Sequence, residues 1–205
     1  MNAVKKTCAL ITVLFCATVL NADEPQIMNQ VRENYSPNST IHAQFDHSIY
    51  WAIREREEKK SGELFVAPGN NFKVTLGNDV FVGDGETYWQ YSKRNSQVLI
   101  YNLSDIDISY QPSNMLSSYL TERSFTQIGE EEGLLVLQST EEDQNYQSIK
   151  AWVNKNNGTV SKLELIDNNE NINTYTFHKK VFDKSIPSNT FRFNIPRNTD
   201  IQDMR

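Results

Sequence analysis

From Ile41 the chain alternates. Ile41, Ala43, Phe45, His47, Ile49, Trp51 and Ile53 fall on one side of an extended backbone. His42, Gln44, Asp46, Ser48, Tyr50, Ala52 and Arg54 fall on the other. A period of two sustained over residues 41–54 cannot be one face of a helix; it requires a long, half-buried strand. One buried side needs a sheet around it and a layer over it. The sequence supplies strands in series: "ELFVA" (63–67), "NFKVTL" (71–76), "DVFVG" (79–83), "TYWQYS" (87–92) and "QVLIYNL" (97–103). Pro68-Gly69-Asn70, Gly77-Asn78 and Asp84-Gly85 punctuate them, as tight antiparallel hairpins demand. "EREEKKSG" (55–62) reads as a solvated turn.

Two stretches break the pattern. "EPQIMNQVRENY" (24–35) reads as a short amphipathic helix with Ile27, Val31, Met28 and Tyr35 on its apolar side. Pro25 suits its first turn, and Ser36-Pro37 ends it. "SDIDISYQPSNMLSSYL" (104–120) reads as a loop entering a helix near Pro112, with Met115, Leu116, Tyr119 and Leu120 at helical spacing. Strands then resume: "GLLVLQST", "YQSIKAWVN", "TVSKLELID", "INTYTFHKKV" and "TFRFNIP" (190–196). About ten antiparallel strands make a sheet that curls, and the two helical segments are the available cover for its concave face.

The first 22 residues stand apart. Lys5 and Lys6 precede an apolar run, "CALITVLFCATVL", that is short for a membrane span, and "LNA" precedes acidic "DEP". This predicts a secretory signal over residues 1–22, cleaved near Ala22/Asp23, and one domain over 23–205. Both cysteines, Cys8 and Cys16, fall inside that signal, so the exported chain must rely on its core rather than on disulfides.

Candidate chemistry is sparse. A net charge of −6 with no dense Lys/Arg cluster argues against nucleic acid. His42, His47 and His178 lack metal-ligand spacing, and strand alternation puts His42 and His47 on opposite faces. No metal, cofactor or catalytic residue is assigned. Glu130-Glu131-Glu132 and Glu141-Glu142-Asp143 read as loop charge, and Asp84 as a turn former. What remains is aromatic and apolar strand, either a filled core or the wall of a cavity for a hydrophobic ligand.

Particular segments carry a resemblance: "GELFVAPGNNFKV" (62–74), "VGDGETYWQYSKRNSQVLI" (82–100), "PSNML" (112–116), "LELIDNNENINTYTF" (163–177) and "FRFNIP" (191–196). Together they resemble the LolA-like family of periplasmic outer-membrane lipoprotein carriers across nearly all of the exported chain. The resemblance implies a mainly β fold: an unclosed, curled antiparallel barrel of about ten or eleven strands with a helical lid over its concave apolar face. It implies a non-enzymatic, monomeric periplasmic shuttle for the acyl chains of lipoproteins. Its partners would be an inner-membrane ABC-type exporter and an outer-membrane acceptor. The alternative it leaves is a sensor or regulatory domain reading lipoprotein or another acylated ligand. Candidate cavity residues are Phe45, Ile49, Trp51, Phe72, Val74, Trp89, Val98 and Ile100 on strands, with Met115, Leu116 and Leu120 from the lid. The best-known family members latch the lid with an arginine; here "VAPGNNF" has Pro68 in its place, so the latch is missing or replaced.

Overall fold

The computed structural model describes residues 24–106, 112–141, 145–182 and 184–205, with residues 112–115 by backbone alone. The expected signal and both cysteines lie outside them. Helix α1 spans Ile27–Asn34 and is followed by β1 (Ile41–Trp51), β2 (Arg56–Ala67), β3 (Asn71–Leu76), β4 (Asp79–Asp84), β5 (Thr87–Ser92) and β6 (Gln97–Asn102). Helix α2 spans Pro112–Thr121, and β7 (Thr126–Glu131), β8 (Leu134–Ser139), β9 (Tyr146–Asn154), β10 (Val160–Asp167) and β11 (Ile172–Phe182) follow it. A 3-10 turn at Ser188–Phe191 precedes β12 (Asp200–Asp203).

Among the described residues the strands form one twelve-stranded sheet in the order β12-β6-β5-β4-β3-β2-β1-β11-β10-β9-β8-β7. Every neighbouring pair is antiparallel except β12 with β6. The sheet curls without closing, and β12 and β7 are its two edges. This is the mainly β, unclosed fold that the sequence implies.

Four details depart from the sequence reading. The stretch 55–62 is not a turn: β2 starts at Arg56 and pairs with β1 without interruption from Trp51↔Arg56 to Ile41↔Val66. A ladder uses backbone groups, so charged side chains do not interrupt it; here they neutralise one another, Lys59 with Glu57 at 2.9 Å and Arg56 with Glu58 at 3.5 Å. Because β2 starts so early, β1 ends at Trp51 and Ile53 lies in the turn, 89% exposed, rather than on the inner row. "TFRFNIP" is no strand; it continues the 3-10 turn, which packs on β3 and β4, as a strap whose Phe193 reaches Trp89 and Tyr91 of β5 on the outside of the sheet. Glu130 and Glu131 belong to edge strand β7 rather than to a loop.

Candidate functional site

Residues directly opposite in a ladder share a face of the sheet, so the pairings define the concave surface. One row runs Ile41–Val66–Phe72–Gly83–Tyr88–Tyr101 across six strands. The row below it holds Ala43, Leu64, Val74 and Phe81. Beyond β1 the face continues through Phe45, Phe177 and Tyr175 to Leu163, Ala151 and Leu137. The surface is therefore apolar from β6 to β8. Burial pushes the Tyr88 phenol up to about 12 and raises Tyr175 further, so both stay neutral hydroxyls.

Two glycines let aromatic rings lie flat on this surface. A Cβ at Gly83 would meet Phe72 Cζ at 2.8 Å, and one at Gly62 would meet Phe45 Cζ at 2.6 Å. Each ring thus covers the neighbouring strand where a side chain is missing, and the sheet can bend there.

Helices α1 and α2 roof one part of the concave face. Met28 and Val31 from α1, Tyr35 just past its end, and Leu116, Tyr119 and Leu120 from α2 are all buried. Their fit is tight: a cavity of about 10 Å³ lies between Tyr35, Ile41, Val66 and Leu116, about the space of one water. The tip of the β9–β10 hairpin supports α1 from behind. Gly158 sits where a Cβ would come 3.0 Å from the Gln30 backbone, and Asn34 Nδ2 donates to Asn157 O at 2.8 Å. The buried Tyr35 hydroxyl accepts from Val160 N–H at 2.9 Å.

Further polar groups fasten the roof at its Arg32 corner. Arg32 Nε donates to Thr121 O at 3.3 Å and its Nη2 to Arg123 O at 3.2 Å, so α1 holds the carbonyls at the end of α2. Glu24 Oε1 accepts from Arg32 Nη2 at 2.6 Å and from Phe125 N–H at 3.0 Å. The hydrogen bond from Arg32 holds the Glu24 carboxyl below its ordinary range, and partial burial offsets some of this. Arg123 Nη1 in turn donates to Glu141 O. Arg32 therefore ties the two roof helices to each other.

The candidate residues divide between two faces. Phe45, Phe72 and Val74 are buried on the concave side, with Leu116 and Leu120 buried in the roof. Ile49 and Trp51 continue the same row of β1 but are only half-buried, as is His47 between them and Phe45. Met115 lies in α2, and its side chain is outside the described part. Trp89, Val98 and Ile100 are not on this face. Trp89 pairs with Val82 and Ile100, and Val98 with Tyr91, one residue out of step with the Phe72–Gly83–Tyr88 row. Phe193 of the strap covers Trp89 and Tyr91 at ring distances of 6.5 and 5.6 Å, and Val98 and Ile100 are buried on that outer side. The sequence gives little to separate the two sets, because β5 is aromatic on both faces. The available signal was the strap itself: Phe191 and Phe193 need a surface, and a strand apolar on both sides provides one. Tyr88, Tyr101 and the whole β8–β11 half of the surface were missed.

At the uncovered end His47 stacks on Tyr175 with ring centroids 4.5 Å apart, and its Nε2 lies 3.3 Å from Asn173 Oδ1. Burial lowers the His47 pKa against that hydrogen bond. Trp51 Nε1 is buried with no hydrogen-bond partner among the described residues. A second groove, of about 450 Å³, is lined by Asp46, Ser48, Lys59, Ser61, Thr174 and Thr176. Its hydroxyls and charges offer nothing to a hydrocarbon.

An open, curled antiparallel sheet with an apolar concave face under a two-helix roof is the class this geometry defines. The chain belongs to the LolA family: the model described as "Outer membrane lipoprotein carrier protein LolA" matches residues 37–194. It is 22% identical over 207 residues to an outer-membrane lipoprotein carrier protein of Shewanella sp. strain MR-7, covering 98% of this chain and 97% of the relative. A protein of the same description from Psychromonas ingrahamii is 23% identical over 203 residues, with 96% and 95% covered. Among solved structures, an uncharacterized conserved protein from Thermus thermophilus superposes with a TM-score of 0.56 at 11% identity. That match covers 86% of this chain and 96% of the other.

Proposed function

We propose that this protein is a periplasmic carrier that holds the acyl chains of lipoproteins against the concave face and shuttles them from the inner to the outer membrane. The observation that carries the reading is the apolar face itself, which continues across the sheet and is roofed in part by two helices that pack closely on it. Residues 1–22 act as its export signal and residues 23–205 as the carrier domain. An ABC-type exporter hands over the cargo and an outer-membrane acceptor receives it; the carrier works as a monomer and performs no covalent chemistry.

The energetics favour such a site. An acyl chain of about 14 methylenes resists water by roughly 11 kcal/mol, so it needs a comparable apolar surface for transit. Met28, Val31, Tyr35, Leu116 and Leu120 are buried in the roof, and burying five such side chains is worth roughly 10 kcal/mol. Cargo therefore competes with the protein's own lid for one surface. Net affinity is the difference of two large terms, strong enough for transit and weak enough for release. Phe45, Phe72, Val74, Ile49 and Trp51 line the acyl path, and Met115, Leu116 and Leu120 move with the lid. The buried Trp51 Nε1, which has no hydrogen-bond partner among the described residues, donates to an ester or amide carbonyl once the cargo reaches it.

The test is co-purification from cells that make a tagged model lipoprotein. A soluble complex that forms with the acylated cargo and is lost when the acylated cysteine is replaced by serine is the expected result. A folded protein that binds both forms equally, or neither, removes the proposal.

A further inference from the structure

A lone exposed isoleucine is ordinary on a protein surface. Ile53 differs in three respects. It is 89% exposed, well beyond the other exposed large hydrophobic side chains among the described residues. Tyr50 (39% exposed) and half-buried Trp51 stand beside it, and exposed Arg54 and Arg56 flank it. Its presentation is also fixed. Arg54 N–H bonds Trp51 O at 3.2 Å and Glu55 N–H bonds Ala52 O at 3.4 Å, closing a tight turn. Ala52 N–H donates to Asn171 Oδ1 at 3.0 Å. Asn171, itself buried, is held by Asp167 through its N–H and Nδ2, both at 2.9 Å. The β1–β2 tip is thus tied to the β10–β11 turn, and Ile53 points into solvent from an anchored loop.

The position of this tip matters. Along β1 the concave row is buried at Ile41, Ala43 and Phe45 and only half-buried at His47, Ile49 and Trp51. The roof lapses toward the tip, so the tip stands at the open end of the apolar face.

We propose that the β1–β2 tip is a membrane-contact element that inserts Ile53 into the surface of a phospholipid bilayer and so sets the open end of the concave face against the lipid. Aromatic rings such as Tyr50 and Trp51 favour the headgroup level, and arginines beside them meet phosphates. Glu55, Glu57 and Glu58 alternate with Arg54, Arg56, Lys59 and Lys60, so the tip carries little net charge. Contact is driven by apolar insertion, with a modest preference for anionic lipid. One inserted side chain gives shallow, reversible contact, as a protein that must leave the membrane requires. The inference rests on the carrier reading for its purpose, not for its test.

The test uses the exported protein with Trp89→Phe and Trp152→Phe, leaving Trp51 as the reporter, and vesicles of phosphatidylethanolamine and phosphatidylglycerol with lipids brominated at different depths. Trp51 quenching that is strongest for shallow bromine, with co-sedimentation on the vesicles, is expected. Ile53→Glu should abolish both and Ile53→Leu should retain both. Quenching that survives Ile53→Glu, or no vesicle contact by the parent protein, overturns the proposal. Displacement of a fluorescent fatty acid is read in parallel. Fatty-acid binding without vesicle contact sinks this inference and leaves the carrier reading standing; vesicle contact without fatty-acid binding does the reverse. Ile53 is 89% exposed and is not itself part of the proposed acyl path, so Ile53→Glu should leave fatty-acid binding unchanged.

Discussion

Gly83 and Phe72 show how far one side chain governs this surface. The Phe72 ring occupies the space above Gly83 and reaches Tyr88, 5.9 Å between ring centres. Gly83→Ala should therefore cost about 2 kcal/mol through forced overpacking, read as a lower midpoint in urea, and Gly62→Ala should behave alike beneath Phe45. The sequence alone suggests Phe72→Glu as a probe that spares the fold. The structure argues otherwise: Phe72 is 0% exposed, and an unpaired carboxylate there should prevent stable folding. Phe72→Leu is the usable variant, expected to keep the fold and weaken fatty-acid binding. His47 supplies a pH test. Its pKa in the folded protein lies below the ordinary 6.5 because burial disfavours the cation. The unfolded chain thus binds the proton more readily, and stability is complete above 6.5 and lost as pH falls through the folded value. The groups facing the ring are Tyr175, Asn173 and Lys60. His47→Gln should flatten the unfolding midpoint across that window; an unchanged slope would assign the dependence elsewhere. None of this was legible from the histidine's position alone, because strand alternation gives a face and not a neighbour.

At the level of elements, the roof is held by apolar contact over its area and by polar bonds at the Arg32–Glu24 corner and at the β9–β10 hairpin. Arg32→Ala removes two bonds to backbone carbonyls and leaves Glu24 without its cation. It should lower stability by about 1–2 kcal/mol and at the same time strengthen fatty-acid binding, because a looser lid competes less well. A fall in both quantities would show that Arg32 serves structure alone. Glu24 has a lowered pKa in the folded protein, so its contribution is present above the ordinary 4.5 and disappears as pH falls through the folded value. Glu24→Gln should remove that acid-side loosening. Both helices were legible in the sequence, since Met28, Val31 and Tyr35, like Leu116 and Leu120, recur at helical spacing and are buried. The alternation of β1 likewise gave its face, and the glycine turns gave the hairpins. The reach of β2 was not legible, because its outer half is stabilised by backbone pairing with β1 and its charged residues read as a loop. Trp89, Val98 and Ile100 were misplaced for a related reason. A strand covered on both sides has no empty face, so composition cannot report its register.

On the scale of the whole molecule, the C-terminal strap gives the sheet a second, smaller core on its outside, built on Val82, Val98, Ile100 and Phe191. Truncation before residue 188 should expose Trp89 and Tyr91 and lower stability, seen as a red-shifted tryptophan emission. It should leave the lid side of the sheet folded, since the two cores are separate. The sheet between these two layers ends at β12 on one side and β7 on the other. In a closed barrel, strand number and shear fix the bore once and for all. A sheet with two loose margins obeys no such closure condition; it can widen or tighten like a split ring while every ladder stays intact. Under the proposed carrier function, a cargo of greater girth then needs no new contacts, only a slightly larger radius of curvature, so that acyl groups differing in number of chains would fit one sheet.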